Sequence, residues 1–242
     1  MQNCLVVDLG RMEYAAAWEL QRRLVAARKA GGVPSVLLMC EHPHVITLGR
    51  NGKREHLRAS ERLLRQSSVA FHATDRGGDI TYHGPGQLVG YPILNLSEIR
   101  RDVVWYVRQL EEAMIRAASD FGVSARRVQG RTGVWVDSPG AGEEKLAAIG
   151  VHISRWVTSH GFALNVSTDL RYFDLIVPCG IPGKRPTSLE RLLGRPVSVH
   201  EFSPRMVARF SEVFGLAMRA AKRAELEELL CAHEQQLAAA TA

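Results

Sequence analysis

Four separated stretches of the sequence set reactive side chains beside glycines, and chemistry is best sought there. Ile176-Val177-Pro178-Cys179-Gly180-Ile181 carries a cysteine out of an apolar run into a turn flanked by proline and glycine. Such a thiol is either a buried packing residue, the commoner fate of cysteine, or a nucleophile. In the second case the following amide, that of Gly180, could face the oxyanion of an acyl transfer. Lys145-Leu146-Ala147-Ala148-Ile149-Gly150 sets one lysine before small apolar residues. At the surface this lysine would simply follow the acidic pair Glu143 and Glu144. Buried, it would lose solvation and could give up its proton as a base. The stretch from Arg76 to Gln87 crowds Gly77, Gly78, Gly84 and Gly86 around Asp79, Ile80, Thr81, Tyr82 and His83. Glycine there serves two tight turns or the close approach of backbone to a ligand. The polar residues among the glycines make a site a serious reading. It is not a phosphate loop, because neither G-x-x-x-x-G-K-[ST] nor G-x-G-x-x-G is present. Finally, His160-Gly161-Phe162-Ala163 opens an apolar strand with a His-Gly pair, read equally as a bulge or as a strand passing a ligand.

Composition narrows the classes. The chain has 242 residues, 46% of them apolar and 23% charged, enough to bury a core. Its net charge of +6 suits an acidic partner. Dense basic runs with interleaved aromatics are missing, so nucleic acid is not the expected partner. No apolar run approaches the roughly 18 residues of a membrane span, so no membrane partner is expected either. Cys4, Cys40, Cys179 and Cys231 are too scattered for a disulfide framework or zinc knuckle. Glu41-His42-Pro43-His44 holds the one close histidine pair, and Pro43 suggests a loop there; no metal is expected. The opening MQNCLVVDLG reads as a strand and not as a signal peptide, so the expected location is cytoplasmic.

Elements must then bring these stretches together. Strands are predicted over 3–9, 35–40, 44–49, 69–74, 88–96, 124–128 and 133–137, with a hairpin over 145–153 and 156–166. A helix over 11–29 stops at Gly31-Gly32. Ser60 caps a short helix, a long amphipathic helix spans 102–121, and another short one spans 188–193. Residues 138–144 read as a turn-rich loop. Ser203-Pro204 reads as the start of a helix reaching about 220, with helix continuing to 238. Strands arriving in groups, with helices interspersed, give an α/β (α+β) fold: a single domain with a central mixed, largely antiparallel sheet flanked by helices. The expected division is a catalytic domain over 1–220 and a helical tail over 221–242.

RGGDITYHGPGQLVGYPI, KLAAIGVHISRWVTSHGFALNV and PCGI, in that order and spacing, resemble the octanoyltransferases of lipoic acid biosynthesis over about residues 5 to 215. The resemblance implies the biotin/lipoate protein ligase fold. It implies transfer of an octanoyl group from octanoyl-acyl carrier protein to a lysine of lipoyl-domain proteins, among them 2-oxoacid dehydrogenase subunits and the glycine cleavage H protein. The family's nucleophile falls on Cys179 and its paired lysine on Lys145. Its acyl-binding segments fall on Arg76, Gly77, Gly78, Asp79, Ile80, Thr81, Tyr82 and His83, on Ala148, Ile149 and Gly150, and on Gly161, Phe162 and Ala163. Neither ATP nor a metal is expected as cofactor. Two features depart from the family pattern: the 138–144 loop is longer than a tight hairpin needs, and His152 stands where an arginine is expected.

The chemistry fits these assignments. Exchange of one thioester for another is nearly isoenergetic, and transfer to an amine runs downhill without ATP. The small residues, Gly78, Ala148 and Gly161 among them, are expected to wall a slot for the eight-carbon chain. An ATP-dependent lipoate or biotin ligase on the same fold is the competing enzyme, and P-C-G-I argues against it because adenylate chemistry needs no cysteine. A non-catalytic acyl-binding module is the other alternative.

Overall fold

The structure, a computed structural model, describes residues 2–138, 142–177 and 185–241. Strand β1 (Gln2–Arg11), helix α1 (Tyr14–Lys29) and strand β2 (Ser35–Glu41) come first. A small layer follows: β3 (Val45–Leu48), a 3-10 turn (Arg54–His56), α2 (Glu61–Gln66), β4 (Ala70–Ala73) and β5 (Ile80–His83). Next are β6 (Gln87–Ile93), α3 (Val103–Ser119), β7 (Arg126–Val128), β8 (Arg131–Ser138), β9 (Gly142–Ser154) and β10 (Val157–Asn165). A 3-10 segment (Leu170–Leu175) precedes β11 (Arg185–Pro186), α4 (Leu189–Leu193), α5 (Val199–Phe214), β12 (Leu216–Ala221) and α6 (Arg223–Thr241).

Among the described residues the main sheet runs β12-β1-β2-β6-β10-β9-β8-β7, with β11 beside β9. β1 is parallel to β12 and β2, and β11 is parallel to β9. The remaining pairs are antiparallel, which makes the sheet mixed and largely antiparallel, as expected. β4-β3-β5 form the second, smaller sheet. The unbroken apolar run of β2 follows from cover on both faces. Leu37 and Met39 pack under α3 and α5 with Tyr106, Leu110, Met114, Phe202 and Phe210. Val36, Leu38 and Cys40 pack under α1 and α6 with Ala17, Leu20, Leu24, Leu226 and Leu230. Helix α6 is further tied to α1 by Arg23, which pairs with Glu227 at 2.8 Å and Glu234 at 2.9 Å. No helix among the described residues is long and apolar enough to cross a membrane.

The structure departs from the sequence reading in five places, the first being β5: Ile80–His83 lie in the stretch read as turns and instead pair with β3. β1 runs through to Arg11, so α1 begins only at Tyr14. α5 begins at Val199, where the Ser198 hydroxyl accepts from the Glu201 N–H at 3.0 Å, and Pro204 lies inside it. The apolar stripe Phe202, Met206, Phe210 and Phe214 explains this: Phe202 is buried only if the helix already exists at its position. Residues 216–221 are strand and not helix. Gly215, at φ +65°, stops α5, and the chain then pairs with the free edge of β1. Backbone pairing there overrides the helical propensity of the alanines. Lastly, β8 and β9 pair out to Ser138 and Gly142, so 138 and 142–144 are strand where a loop was expected, and 139–141 lie outside the described residues.

Candidate active site

The segment between β4 and β5 folds back over β9 and β10. The Gly77 N–H donates to the Val151 carbonyl at 2.9 Å, and Asp75 takes hydrogen bonds from this layer. The layers border a cleft that is partly open to solvent. Of the residues expected to bind the acyl group, Arg76, Gly78, Asp79, Ile80, Thr81 and His83 line it, with Ala148, Ile149 and Gly150 from β9 and Gly161, Phe162 and Ala163 from β10. Lys145 lines it as well. Two of the expected residues do not. Gly77 presses its carbonyl toward Gly150, and Tyr82 turns away to bond His44 at 2.7 Å and to stack on Tyr172. Cys179 and Gly180 lie outside the described residues.

Tyr14, Val89, Tyr91 and His160 complete the lining. Sequence reasoning missed the first three, because in sequence they look like ordinary positions of a helix or a buried strand. His160 had carried a signal in its His-Gly pair. It holds φ +54° within β10, and its N–H donates to the Gln21 side chain at 2.7 Å. Such a left-handed residue stores strain of order 1–3 kcal/mol, the kind that gathers at functional sites.

Gly161 borders the cleft through its backbone alone. A Cβ built on it would fall on the Gly90 carbonyl oxygen and lie 2.7 Å from Pro92 Cδ, in β6. Glycine at 161 therefore lets β6 and β10 approach each other, and only its backbone borders the cleft. Gly150 behaves alike: a Cβ there would lie 2.8 Å from the Gly77 carbonyl oxygen.

Fixed charges and oriented hydrogen bonds frame the cleft. The Arg76 guanidinium is buried, donating from Nη2 to the Thr47 carbonyl at 2.6 Å and from Nε to Thr47 Oγ1 at 3.1 Å. Asp75 bridges His160 Nε2 and His152 Nδ1, both at 2.8 Å; His152 is the histidine that stands where an arginine was expected. Burial works against the Asp75 carboxylate, but the bond from His160 and the charges of both histidines outweigh it and hold the carboxyl below its usual value. Burial lowers His160 more than Asp75 raises it.

The orientation of His83 can be read from a chain of buried hydrogen bonds. The Thr187 carbonyl can only accept, so Asn165 turns Nδ2 toward it at 2.9 Å. Asn165 Oδ1 then receives Gln87 Nε2 at 2.9 Å, and Gln87 Nε2 also reaches the Tyr82 carbonyl at 3.3 Å. Gln87 Oε1 is left to accept at 2.7 Å from His83 Nδ1, which must carry the proton. His83 Nε2 thus presents a lone pair, with Thr47 Oγ1 3.5 Å away. Burial pushes this imidazole down to about 3, so it is neutral near pH 7. His42 is fixed similarly: its Nδ1 donates to the Met12 carbonyl and its Nε2 accepts from the Tyr91 hydroxyl, each at 2.7 Å, and burial pushes it down to about 4.

Lys145 is half-buried on β9 with Nζ 5.0 Å from the Trp135 ring centroid. Its neighbour Gly133, at φ +122°, leaves the space that the lysine stem occupies. The described residues on either side of 178–184 are both anchored at this site. The Val177 N–H donates to the His56 carbonyl at 2.7 Å, and the His56 ring bonds Asp79 of the cleft at 2.6 Å. On the other side Pro186 pairs with Lys145, whose carbonyl accepts from the Thr187 N–H at 3.0 Å. Cys4 and Cys40 are buried, and burial pushes the first thiol up to about 12 and the second higher still. Cys231 is exposed on α6.

Fold and cleft together define the lipoate-ligase class of α/β domains. A bipartite lipoate protein ligase, solved with its E2 lipoyl domain from Thermoplasma acidophilum, superposes with a TM-score of 0.75 at 17% identity, covering 95% of this chain and 91% of that one. Residues 13–211 match the lipoyl protein ligase A/B catalytic domain, and the chain belongs to that family. Within the family it is similar to the octanoyltransferase of Solibacter usitatus, 54% identical over 218 residues, 90% of this chain and 96% of the relative. The octanoyltransferase of Acidobacterium capsulatum is also 54% identical, over 87% of this chain and 89% of its own length.

Proposed function

We propose that the chain is an acyltransferase of lipoate biosynthesis. It moves an octanoyl group from octanoyl-acyl carrier protein, through a thioester on Cys179, to a lysine of lipoyl-domain proteins. The observation that carries this reading is convergence. The glycine-rich 76–83 segment meets the distant β9–β10 hairpin, which carries Lys145 and the other two motif segments, in one cleft, and the residues flanking P-C-G-I are anchored to its loop and to the Lys145 strand. The similarity to octanoyltransferases over some nine-tenths of the chain supports the same reaction. The other thiols support Cys179 indirectly, since burial disfavours the thiolate of Cys4 and Cys40, the opposite of what a nucleophile needs.

The reaction takes two balanced steps. The Cys179 thiol loses its proton to Lys145, and the sulfur attacks the donor carbonyl. The carrier sulfur leaves and takes a proton, so one thioester replaces another. A neutral lysine amine of the lipoyl domain then attacks, an amide forms, and the amine's proton returns the Cys179 thiol. The Gly180 amide is the proposed oxyanion donor in both steps. A donor that is already a thioester needs no ATP. The octanoyl chain lies in the cleft between the Arg76–His83 segment and the face of β9 and β10 at 148–150 and 161–163, where burial of its carbons contributes about 5–6 kcal/mol of gross binding at roughly 0.8 kcal/mol per CH₂.

Intact-mass analysis after incubation with octanoyl-acyl carrier protein tests this. One octanoyl mass, labile to hydroxylamine, should map to the peptide holding Cys179. Ser at Cys4, Cys40 and Cys231 together should leave it in place. Near-wild-type transfer by Cys179→Ala would overturn the mechanism. AMP release from ATP and free octanoate would indicate ligase chemistry instead, and acyl binding without turnover a non-catalytic module.

A further inference from the structure

Residues 50–65, RNGKREHLRASERLLR, hold Arg50, Lys53, Arg54, Arg58, Arg62 and Arg65 against Glu55 and Glu61, so this short stretch carries +4 of the chain's +6. All six basic side chains are exposed. The two glutamates compensate them poorly, with Lys53–Glu55 at 3.5 Å and both Arg54–Glu61 and Arg65–Glu61 at 3.6 Å. Arg50, Arg58 and Arg62 have no ion pair among the described residues. Other surfaces of the molecule differ: Arg126, Arg127 and Arg209 each hold a carboxylate at 2.6–2.8 Å. The surplus at 50–65 is therefore local, beyond a general richness in arginine.

This basic stretch is fastened to the candidate active site. The Arg50 N–H donates to the Arg76 carbonyl at 3.0 Å, and the Lys53 N–H reaches Asp79 Oδ1 at 3.3 Å. The Arg58 N–H donates to the Leu175 carbonyl at 2.9 Å, and Leu57 bridges to Ile176, just before the segment that holds Cys179. None of the six basic side chains lines the cleft itself. A partner seated on them stands back from the cleft and must reach into it with a long arm. An acceptor lysine offers only four methylenes beyond its backbone. A carrier protein presents its thioester at the end of a far longer phosphopantetheine arm, which adds its own negative phosphodiester.

We infer that the exposed basic surface of residues 50–65 is the docking platform for the acidic acyl carrier protein that donates the octanoyl group. This inference rests on the reading of the chain as a carrier-dependent octanoyltransferase. Charge at such a rim acts chiefly on association rate and is screened by salt.

The test compares two donors: octanoyl-acyl carrier protein, and octanoyl-pantetheine, which has neither the protein nor the phosphate. Arg58→Glu, Arg62→Glu and Arg65→Glu are combined, with the triple Gln variant as a second protein should charge reversal impair folding. The expected result is a loss of about tenfold or more in kcat/KM for octanoyl-carrier at low salt. The loss should shrink at about 0.5 M salt, where the Debye length is only a few ångströms. Transfer from octanoyl-pantetheine should be unchanged in both variants. Equal losses with the two donors, or no loss with either, would overturn the assignment. A rise confined to the KM for the lipoyl domain would give the surface to the acceptor and also overturn it. If the wild type itself fails to turn over octanoyl-carrier, the underlying reading falls and this surface with it. Wild-type turnover with unaffected variants removes the surface alone.

Discussion

Replacing Gln87 with methionine, a side chain of similar length, removes the acceptor that holds His83 Nδ1–H at 2.7 Å. In the wild type that acceptor is oriented from two directions, by Asn165 Oδ1 and by the Tyr82 carbonyl. Without it a buried N–H is left unpartnered, at a cost of about 1–3 kcal/mol. At about 1.4 kcal/mol per tenfold, the preference for the Nδ1–H tautomer weakens roughly five- to 150-fold. The cleft then meets a donor at His83 Nε2 in part of the molecules, where the wild type presents only an acceptor. Nitrogen-15 shifts of the imidazoles in labelled protein report this directly. At pH 7 wild-type His83 should show a protonated Nδ1 and a bare Nε2, and Gln87→Met should show the balance displaced. The orphaned Asn165 Oδ1 should also lower Tm, by about 2–4 °C for each kcal/mol lost. A wild-type His83 that carries its proton on Nε2, or is doubly protonated at pH 7, would refute the reasoning. So would an unchanged tautomer in the variant.

Gly161→Ala should lose stability by at least the roughly 1–3 kcal/mol of ordinary overpacking, because its Cβ meets β6 backbone. Octanoyl and shorter donors should then suffer alike; an intact Tm with a switch toward short chains would show that the position shapes the slot after all. His42 and His83 sit at about 4 and about 3 in the fold against 6.5 when unfolded, so the folded state takes up their protons late. The stability they contribute is complete above pH 6.5 and is lost as pH falls toward 4 and 3, at up to about 1.4 kcal/mol per pH unit for each histidine. Urea midpoints measured from pH 7 to 4 should fall accordingly, and His42→Gln should flatten the dependence; identical curves would contradict it. Lys145→Ala should slow iodoacetamide alkylation of Cys179 near neutral pH, and superimposable pH profiles would remove Lys145 from the mechanism.

At several places where neighbours in the chain determine the structure, the sequence alone was sufficient. Ser60, Asp102 and Ser188 cap their helices by bonding an N–H three residues on, so each start could be read locally. The apolar run of β2 and the alternating hairpin of β9 and β10 carried the mixed sheet in the same way. The glycine-rich loop, the lone lysine and the His-Gly pair marked most of the cleft lining, because their residue types are unusual for plain packing. Other features depended on partners distant in the chain. The alanines of β12 become strand because the edge of β1, some 200 residues earlier, offers backbone groups to pair with. Pro204 falls inside α5 because the core must bury Phe202. Gly161 looks like room for a ligand until β6 is seen to lie against it. Tyr14 and Tyr91 reach the cleft from α1 and β6, and only their packing shows it. The proton on His83 is set by Asn165 and by the carbonyl of Thr187, residues that meet His83 only when β5, β6 and β10 have come together. Caps and periodicity arise from hydrogen bonds and burial within a few residues, which a sequence records. A tautomer, or the direction in which a missing side chain would point, depends on which strands end up adjacent, and only the folded chain decides that.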